Sequence, residues 1–171
     1  MVKAKSTSMV QIRIATDIDL QQMLDIYNDI ITNTTAVFQY APHTLEMRKE
    51  WLAQKQKDGF PVFVAQETDE VIGFSTIGSF RNWQAYKYSV ENSVYVRSDK
   101  RGKGVGKLLL KETINAAKQM GMHTIIAGID ASNETSIAMH RQFGFVEVAY
   151  FKEVGYKFDR WLDLIFLQVM I

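Results

Sequence analysis

This sequence encodes one mixed α/β domain, a central sheet with helices packed on its faces. Three features lead to that expectation. Stretches of two-residue alternation and stretches with apolar residues every three or four positions follow one another in the order β-α-α-β-β-β-α-β-α-β-β. The 171 residues are 47% hydrophobic and 23% charged, the balance of a soluble globular chain with a sizeable core. No repeat, low-complexity run or linker divides residues 9–171, so a single domain is expected there, after a polar, small-residue leader over 1–8 that reads as flexible.

Residues 10–15, Val-Gln-Ile-Arg-Ile-Ala, alternate as a short strand. Thr16 followed by Asp19 has the spacing of a capping box, with Asp in place of Glu, and opens an amphipathic helix to about Thr32. β-Branched and polar residues break that helix, and Pro42 closes the connection. Thr44 is placed to cap a second helix that ends near Gly59. The runs starting at Pro61 and Glu70 form a hairpin about the polar turn 67–70. An aromatic connection from Arg81 leads into a strand over 90–96, Val-Glu-Asn-Ser-Val-Tyr-Val. A helix from about Leu108 reaches Gly121, a strand covers 123–130, and a short helix stops at Gly144. Two last strands, 145–154 and 160–171, flank a loop expected to contain Gly155.

Twenty basic residues against nineteen acidic ones leave a net charge of +1, so the sequence carries no electrostatic footprint for nucleic acid or an anionic membrane. No apolar run approaches the roughly 20 residues that span a bilayer, and residues 1–13 lack the apolar centre of a secretory signal. A cytoplasmic location is expected. The absence of cysteine excludes disulfides, thiolate metal ligands and a cysteine nucleophile. The three histidines, 43, 123 and 140, lack metal-ligand spacing, and no metal is expected.

The most informative stretch is Arg-Gly-Lys-Gly-Val-Gly-Lys, 101–107, between a strand and a helix. Its glycines permit positive φ, and a helix start turns free N–H groups outward, an arrangement that suits a phosphate. A Walker loop would need Ser or Thr after Lys107, where Leu108 stands. A Rossmann fingerprint would need G-x-G-x-x-G, and Gly102, Gly104 and Gly106 are evenly spaced instead. What remains is R-x-x-G-x-G, Arg101, Gly104 and Gly106, which resembles the acetyl-CoA pyrophosphate loop of the GNAT N-acetyltransferases. The run from Asn133 through Ser136 and His140 to Gly144-Phe145 is similar to the second signature of that superfamily, in the same order. The bland readings are a ligand-free turn for the first and an ordinary helix cap for Asn133.

Residues 27–38, residues 86–96 and the pair Met139-His140 resemble one branch of that superfamily, the phosphinothricin and methionine sulfoximine N-acetyltransferases. That branch acetylates the α-amino group of small amino-acid analogues. The resemblance covers nearly the whole chain. It implies a mixed, mostly antiparallel central sheet with helices on both faces, acetyl-CoA as co-substrate, a small-molecule amine acceptor and a homodimer. It implies Glu91 as the general base and His140 as a proton donor to the leaving thiolate or a substrate contact. Cofactor contacts then fall on Val94, Tyr95, Val96, Arg101, Gly102, Lys103, Gly104, Val105, Gly106, Lys107, Asn133 and Ser136. The acid group of such an acceptor needs cationic or donor partners, for which Arg81 and Tyr86 in the aromatic connection are the candidates, and Phe38 is expected to wall the substrate side facing Glu91.

Strand alternation puts Glu91, Ser93 and Tyr95 on one face and Val90, Asn92, Val94 and Val96 on the other. A carboxylate inside an apolar strand is either solvated or held in a cleft to accept a proton. Its place just before the glycine loop favours the cleft. An amine arrives as an ammonium and must lose a proton before it attacks a thioester, which Glu91 can take directly or through water. Backbone N–H groups where the Val94–Val96 strand splays from its neighbour would stabilise the oxyanion. Two other readings stay open: the same chemistry on a different amine, and a non-catalytic acyl-CoA-binding module, which would need neither Glu91 nor His140.

Overall fold

The computed structural model describes residues 9–171, so the expected leader over 1–8 lies outside the described residues. Seven strands form one sheet: β1 (Gln11–Ile14), β2 (Val62–Glu67), β3 (Glu70–Ser79), β4 (Ser89–Val96), β5 (Thr124–Asp130), β6 (Val146–Lys157) and β7 (Arg160–Met170). Their order is β1-β2-β3-β4-β5-β7-β6, and only the β4–β5 pair is parallel. Helices α1 (Leu20–Asn33) and α2 (Leu45–Lys57) cover one face, and α3 (Val105–Gln119) and α4 (Glu134–Gln142) the other. The expected mixed, mostly antiparallel sheet with helices on both faces is what the chain forms.

Local chemistry accounts for the element ends. Asp19 accepts from the Thr16 N–H at 2.8 Å, completing the capping box, and also pairs with Arg13 at 2.7 Å. Thr44 caps α2 by accepting from the Met47 N–H at 3.2 Å. Two cores result, separated by the sheet. Met23, Ile30, Leu52, Val64 and Phe74 pack under α1 and α2, while Leu110, Ile114, Ile125, Ala127 and Leu167 pack under α3. Alternation along β4 holds: Val90 and Val94 join the α3 core, and Tyr95 packs its ring 5.0 Å from Phe74.

Two expectations need correction. Helix α3 starts at Val105, not Leu108: Gly104, at φ +84°, ends the loop, and Val105 is already buried. The expected loop around Gly155 is absent. Strand β6 runs on to Lys157, and the chain reverses at Phe158-Asp159, both at positive φ. A bulge between Phe151 and Gly155 absorbs the irregular residues, among them Glu153 at φ +51°, so the glycine marks a distortion inside a strand rather than its end.

The feature that builds the site is a gap in the sheet. The β4–β5 ladder spans only Ser89↔Thr124 to Glu91↔Ile126, although β4 continues to Val96 and β5 to Asp130. Beyond Glu91 the two strands part. The Phe80 N–H bonds the Ser89 carbonyl and the Arg97 N–H bonds the Ile72 carbonyl, so the odd residues of β4 turn their main-chain groups towards β3. The N–H groups of Val94 and Val96 therefore face the opening.

Candidate active site

A groove of about 920 Å³ runs along this opening, lined by Val94, Tyr95 and Val96 on β4, by the glycine loop, and by Asn133, Ser136 and Met139 on α4. Gly102 and Gly104 lie at φ +73° and +84°. These left-handed turns leave the Val105 and Gly106 N–H groups at the start of α3 without intrahelical acceptors. A Cβ on Gly106 would stand 3.0 Å from Met139 Sδ, so the missing side chain lets α4 close against the loop. Arg101 donates to the Val96 carbonyl at 3.1 Å and stays exposed. Free amides at a helix start beside Arg101 and Lys107 form a donor set that fits a pyrophosphate. Arg101, Gly102, Gly104, Val105, Gly106 and Lys107 all line the groove. Lys103 does not; its ammonium donates to the Asp99 carbonyl.

A second cavity, about 270 Å³, lies deeper and shares Ala36, Val94, Tyr95, Asn133 and Ser136 with the groove. Glu91 lines it from β4. Gly128 faces Glu91 across the parallel pair, and a Cβ there would lie 3.1 Å from Glu91 Oε1 and 2.9 Å from the Phe166 ring. Burial pushes the Glu91 carboxyl above the usual range, against the opposing pull of the Arg81 and Lys55 charges. Lys55 is anchored to the Ile77 carbonyl at 2.6 Å, and Gly78, the cross-strand partner of Glu91, leaves it room. Burial also pushes the Tyr95 phenol up to about 12, which keeps it neutral.

His140 is 3% exposed, and both ring nitrogens are engaged. Its Nδ1 lies 2.8 Å from the Ser136 carbonyl, which only accepts, so Nδ1 carries the proton. Burial lowers the His140 pKa and keeps the ring neutral. Nε2 then accepts from Asn92 Nδ2 at 3.0 Å. This turns Asn92 Oδ1 away from the ring, and that oxygen is buried without a partner among the described residues. The ring orients Asn92, a role that residue types and spacing did not reveal. Asn133 caps α4 by accepting from the Ser136 N–H at 3.1 Å, and it lines both cavities as well.

The remaining wall comes from Ala36, Val37 and Phe38, after α1, and from Leu164 and Phe166 on β7. The Phe38 ring sits 2.6 Å from where a Gly155 Cβ would be. Lys157, 3% exposed, donates to the carbonyls of Ile31, Thr34 and Val37 at 2.6, 2.8 and 2.8 Å. The hairpin tip thus fastens the wall that carries Phe38, a link across 120 residues that no local pattern announces. Arg81 and Tyr86 do not line the cavity. Arg81 stacks on Phe80 at 4.2 Å, with its charge within reach of Glu91. Tyr86 contacts Phe80, which in turn meets Phe166.

Residues 12–166 match the acetyltransferase (GNAT) domain family. An L-methionine sulfoximine/L-methionine sulfone acetyltransferase of Pseudomonas aeruginosa is 42% identical over 152 residues, 88% of either chain. An N-acetyltransferase structure from Staphylococcus aureus superposes with a TM-score of 0.94 at 48% identity, covering 95% of this chain and 99% of that one. A phosphinothricin acetyltransferase from Sinorhizobium meliloti in complex with acetyl-CoA gives 0.93 at 33% identity, covering 95% of this chain and 88% of that one.

Proposed function

We infer that this chain, which belongs to the GNAT acetyltransferase family, transfers the acetyl group of acetyl-CoA to the α-amino group of a small amino acid or analogue of the methionine sulfoximine, methionine sulfone or phosphinothricin type. One observation carries the reading: a desolvated carboxylate, Glu91, stands in a cavity that opens onto the cofactor groove at Val94, Tyr95, Asn133 and Ser136.

Bound acetyl-CoA supplies an activated thioester. The loop amides of 102–107, with Arg101 and Lys107, hold its pyrophosphate, and Asn133 and Ser136 flank its arm in the groove. The Val94 N–H, facing the gap in the sheet, polarises the acetyl carbonyl. Glu91 takes the proton that the acceptor ammonium must lose, and its raised pKa suits a base working near neutrality. His140 acts by holding the Asn92 amide; as a neutral ring with both nitrogens engaged, it is a poor source of a proton for the thiolate. Phe38 walls the acceptor side, while Arg81, whose charge reaches Glu91, and Tyr86, linked to the wall through Phe80 and Phe166, are the groups proposed to receive a carboxylate or phosphinate.

A homodimer belongs to the same reading. β6 is an edge strand, and Val146, Val148, Phe151, Val154 and neighbouring Trp161 are exposed, a surface a partner copy would cover. No helix among the described residues is long and apolar enough to cross a membrane; a cytoplasmic location is part of the same proposal.

The test is an acceptor panel followed by thiol release. Methionine sulfoximine, methionine sulfone and phosphinothricin should give kcat/KM values at least about 100-fold above those of alkylamines of equal length, because a site built for the acid group leaves its donors unpaired when that group is missing. Equal kcat/KM for an amino acid and its decarboxylated amine refutes the acceptor assignment. Cofactor binding with no turnover on any amine favours a binding module.

A further inference from the structure

We propose that Asp130 is a second carboxylate of the acceptor site, one that holds the incoming ammonium beside Glu91. The proposal rests on the acetyltransferase reading given above. Asp130 ends β5 on the Glu91 side of the sheet: Glu91 registers with Ile126, and residues 126, 128 and 130 alternate onto that face. It lines the same cavity as Glu91 and Gly128.

Its setting is unusual for a carboxylate. The residue is 4% exposed. Oδ1 accepts from the Ser132 N–H and hydroxyl, both at 2.7 Å, which fixes the plane of the group. Oδ2 is buried with no hydrogen-bond partner among the described residues. A buried anionic oxygen left without a donor is costly, and such a group persists where something else completes it. The cavity therefore offers Glu91 and Asp130 Oδ2, on the same face of the sheet, as acceptors. A primary ammonium, with three N–H donors and a positive charge, complements them. Glu91 takes one proton from that ammonium, and Asp130 Oδ2 accepts from a remaining N–H, holding the nitrogen as it turns towards the thioester.

D130N tests this, since the amide oxygen can keep both Ser132 bonds while the charge disappears. With methionine sulfone as acceptor, KM should rise about 10- to 100-fold, the scale of one charge-assisted hydrogen bond, with acetyl-CoA affinity by calorimetry unchanged. The KM ratio of variant to wild type should shrink as pH rises past the pKa of the acceptor amine, because the free base no longer brings a charge to Asp130. The unliganded variant should melt no lower than wild type, since the Ser132 bonds are kept and Oδ2 has no bond among the described residues to lose. An acceptor KM within twofold of wild type, a pH-independent ratio, or a lower melting temperature each overturns the proposal. E91Q, measured in parallel, separates the two levels: if it turns over normally, the reading of Glu91 fails; if it is slow while D130N behaves as wild type, only the role of Asp130 fails.

Discussion

Gly128→Ala is a small change with a sharply defined consequence. The glycine sits mid-strand in β5, where its backbone imposes no special φ, so alanine is conformationally acceptable. The added methyl is the whole perturbation. It would stand 2.9 Å from Phe166 Cε1, whereas ordinary contact begins at 3.4 Å, so the ring must retreat by about 0.5 Å. It would stand 3.1 Å from Glu91 Oε1, which must also yield by a few tenths of an ångström. Both groups line the acceptor cavity. Overpacking of this kind costs about 1–3 kcal/mol, offset by the roughly 0.5–1 kcal/mol that alanine gains over glycine in a strand. The net expectation is a loss of about 1 kcal/mol in stability. Catalysis suffers as well: misplacement by 1 Å is worth about 100-fold, so a displacement of the proposed base by about 0.3 Å should lower kcat about 4-fold. Steady-state kinetics with methionine sulfone, alongside thermal melts, reads both effects. Wild-type kcat in a well-folded Gly128→Ala would refute the reasoning, because it would show that the carboxylate does its work from a position the methyl does not touch.

Glu91→Gln should slow turnover by about 100-fold or more while raising thermal stability near pH 7. The sign follows from the raised carboxyl: the folded state holds this proton more tightly than the unfolded chain, whose value is about 4.3, so stability is lost as pH climbs above that value. The variant's advantage in melting temperature should vanish below pH 4, and melts across that range check it. Gly104→Val places a β-branched residue at φ +84°, costing about 1–3 kcal/mol of strain. It should weaken acetyl-CoA binding by more than about 10-fold in calorimetry; undiminished affinity removes the pyrophosphate from this loop.

Much of this molecule was legible before folding, and the reason is local. Caps at Thr16 and Thr44, the helix stop at Gly144 and the alternation of β4 each depend on neighbours within a few residues. The glycine loop is local as well, which is why its placement at the start of α3 could be anticipated to within three residues. Gly155 misled because a glycine in a bulge and a glycine in a turn look alike in sequence, and the Phe38 ring that needs its missing Cβ is more than a hundred residues away. Asp130, Asn92 and Lys157 escaped for a related reason. Their importance lies in which oxygen lacks a donor or which carbonyls share one ammonium, and those facts exist only after β4, β5, α4 and the last hairpin meet. His140 was singled out, yet its tautomer depends on the Ser136 carbonyl and the Asn92 amide together.

The parting of β4 from β5 has an evolutionary consequence. The donor assigned to the acetyl oxygen belongs to the peptide link at Val94, so ordinary side-chain replacement there reshapes the pocket without deleting the hydrogen bond; only proline lacks the N–H. Phe38, Arg81 and Tyr86, proposed to meet the acceptor, are by contrast side chains that can be exchanged one at a time. A lineage can therefore drift among acceptors by altering the periphery, while the main-chain donor proposed to activate the thioester, written into a broken ladder, is inherited intact.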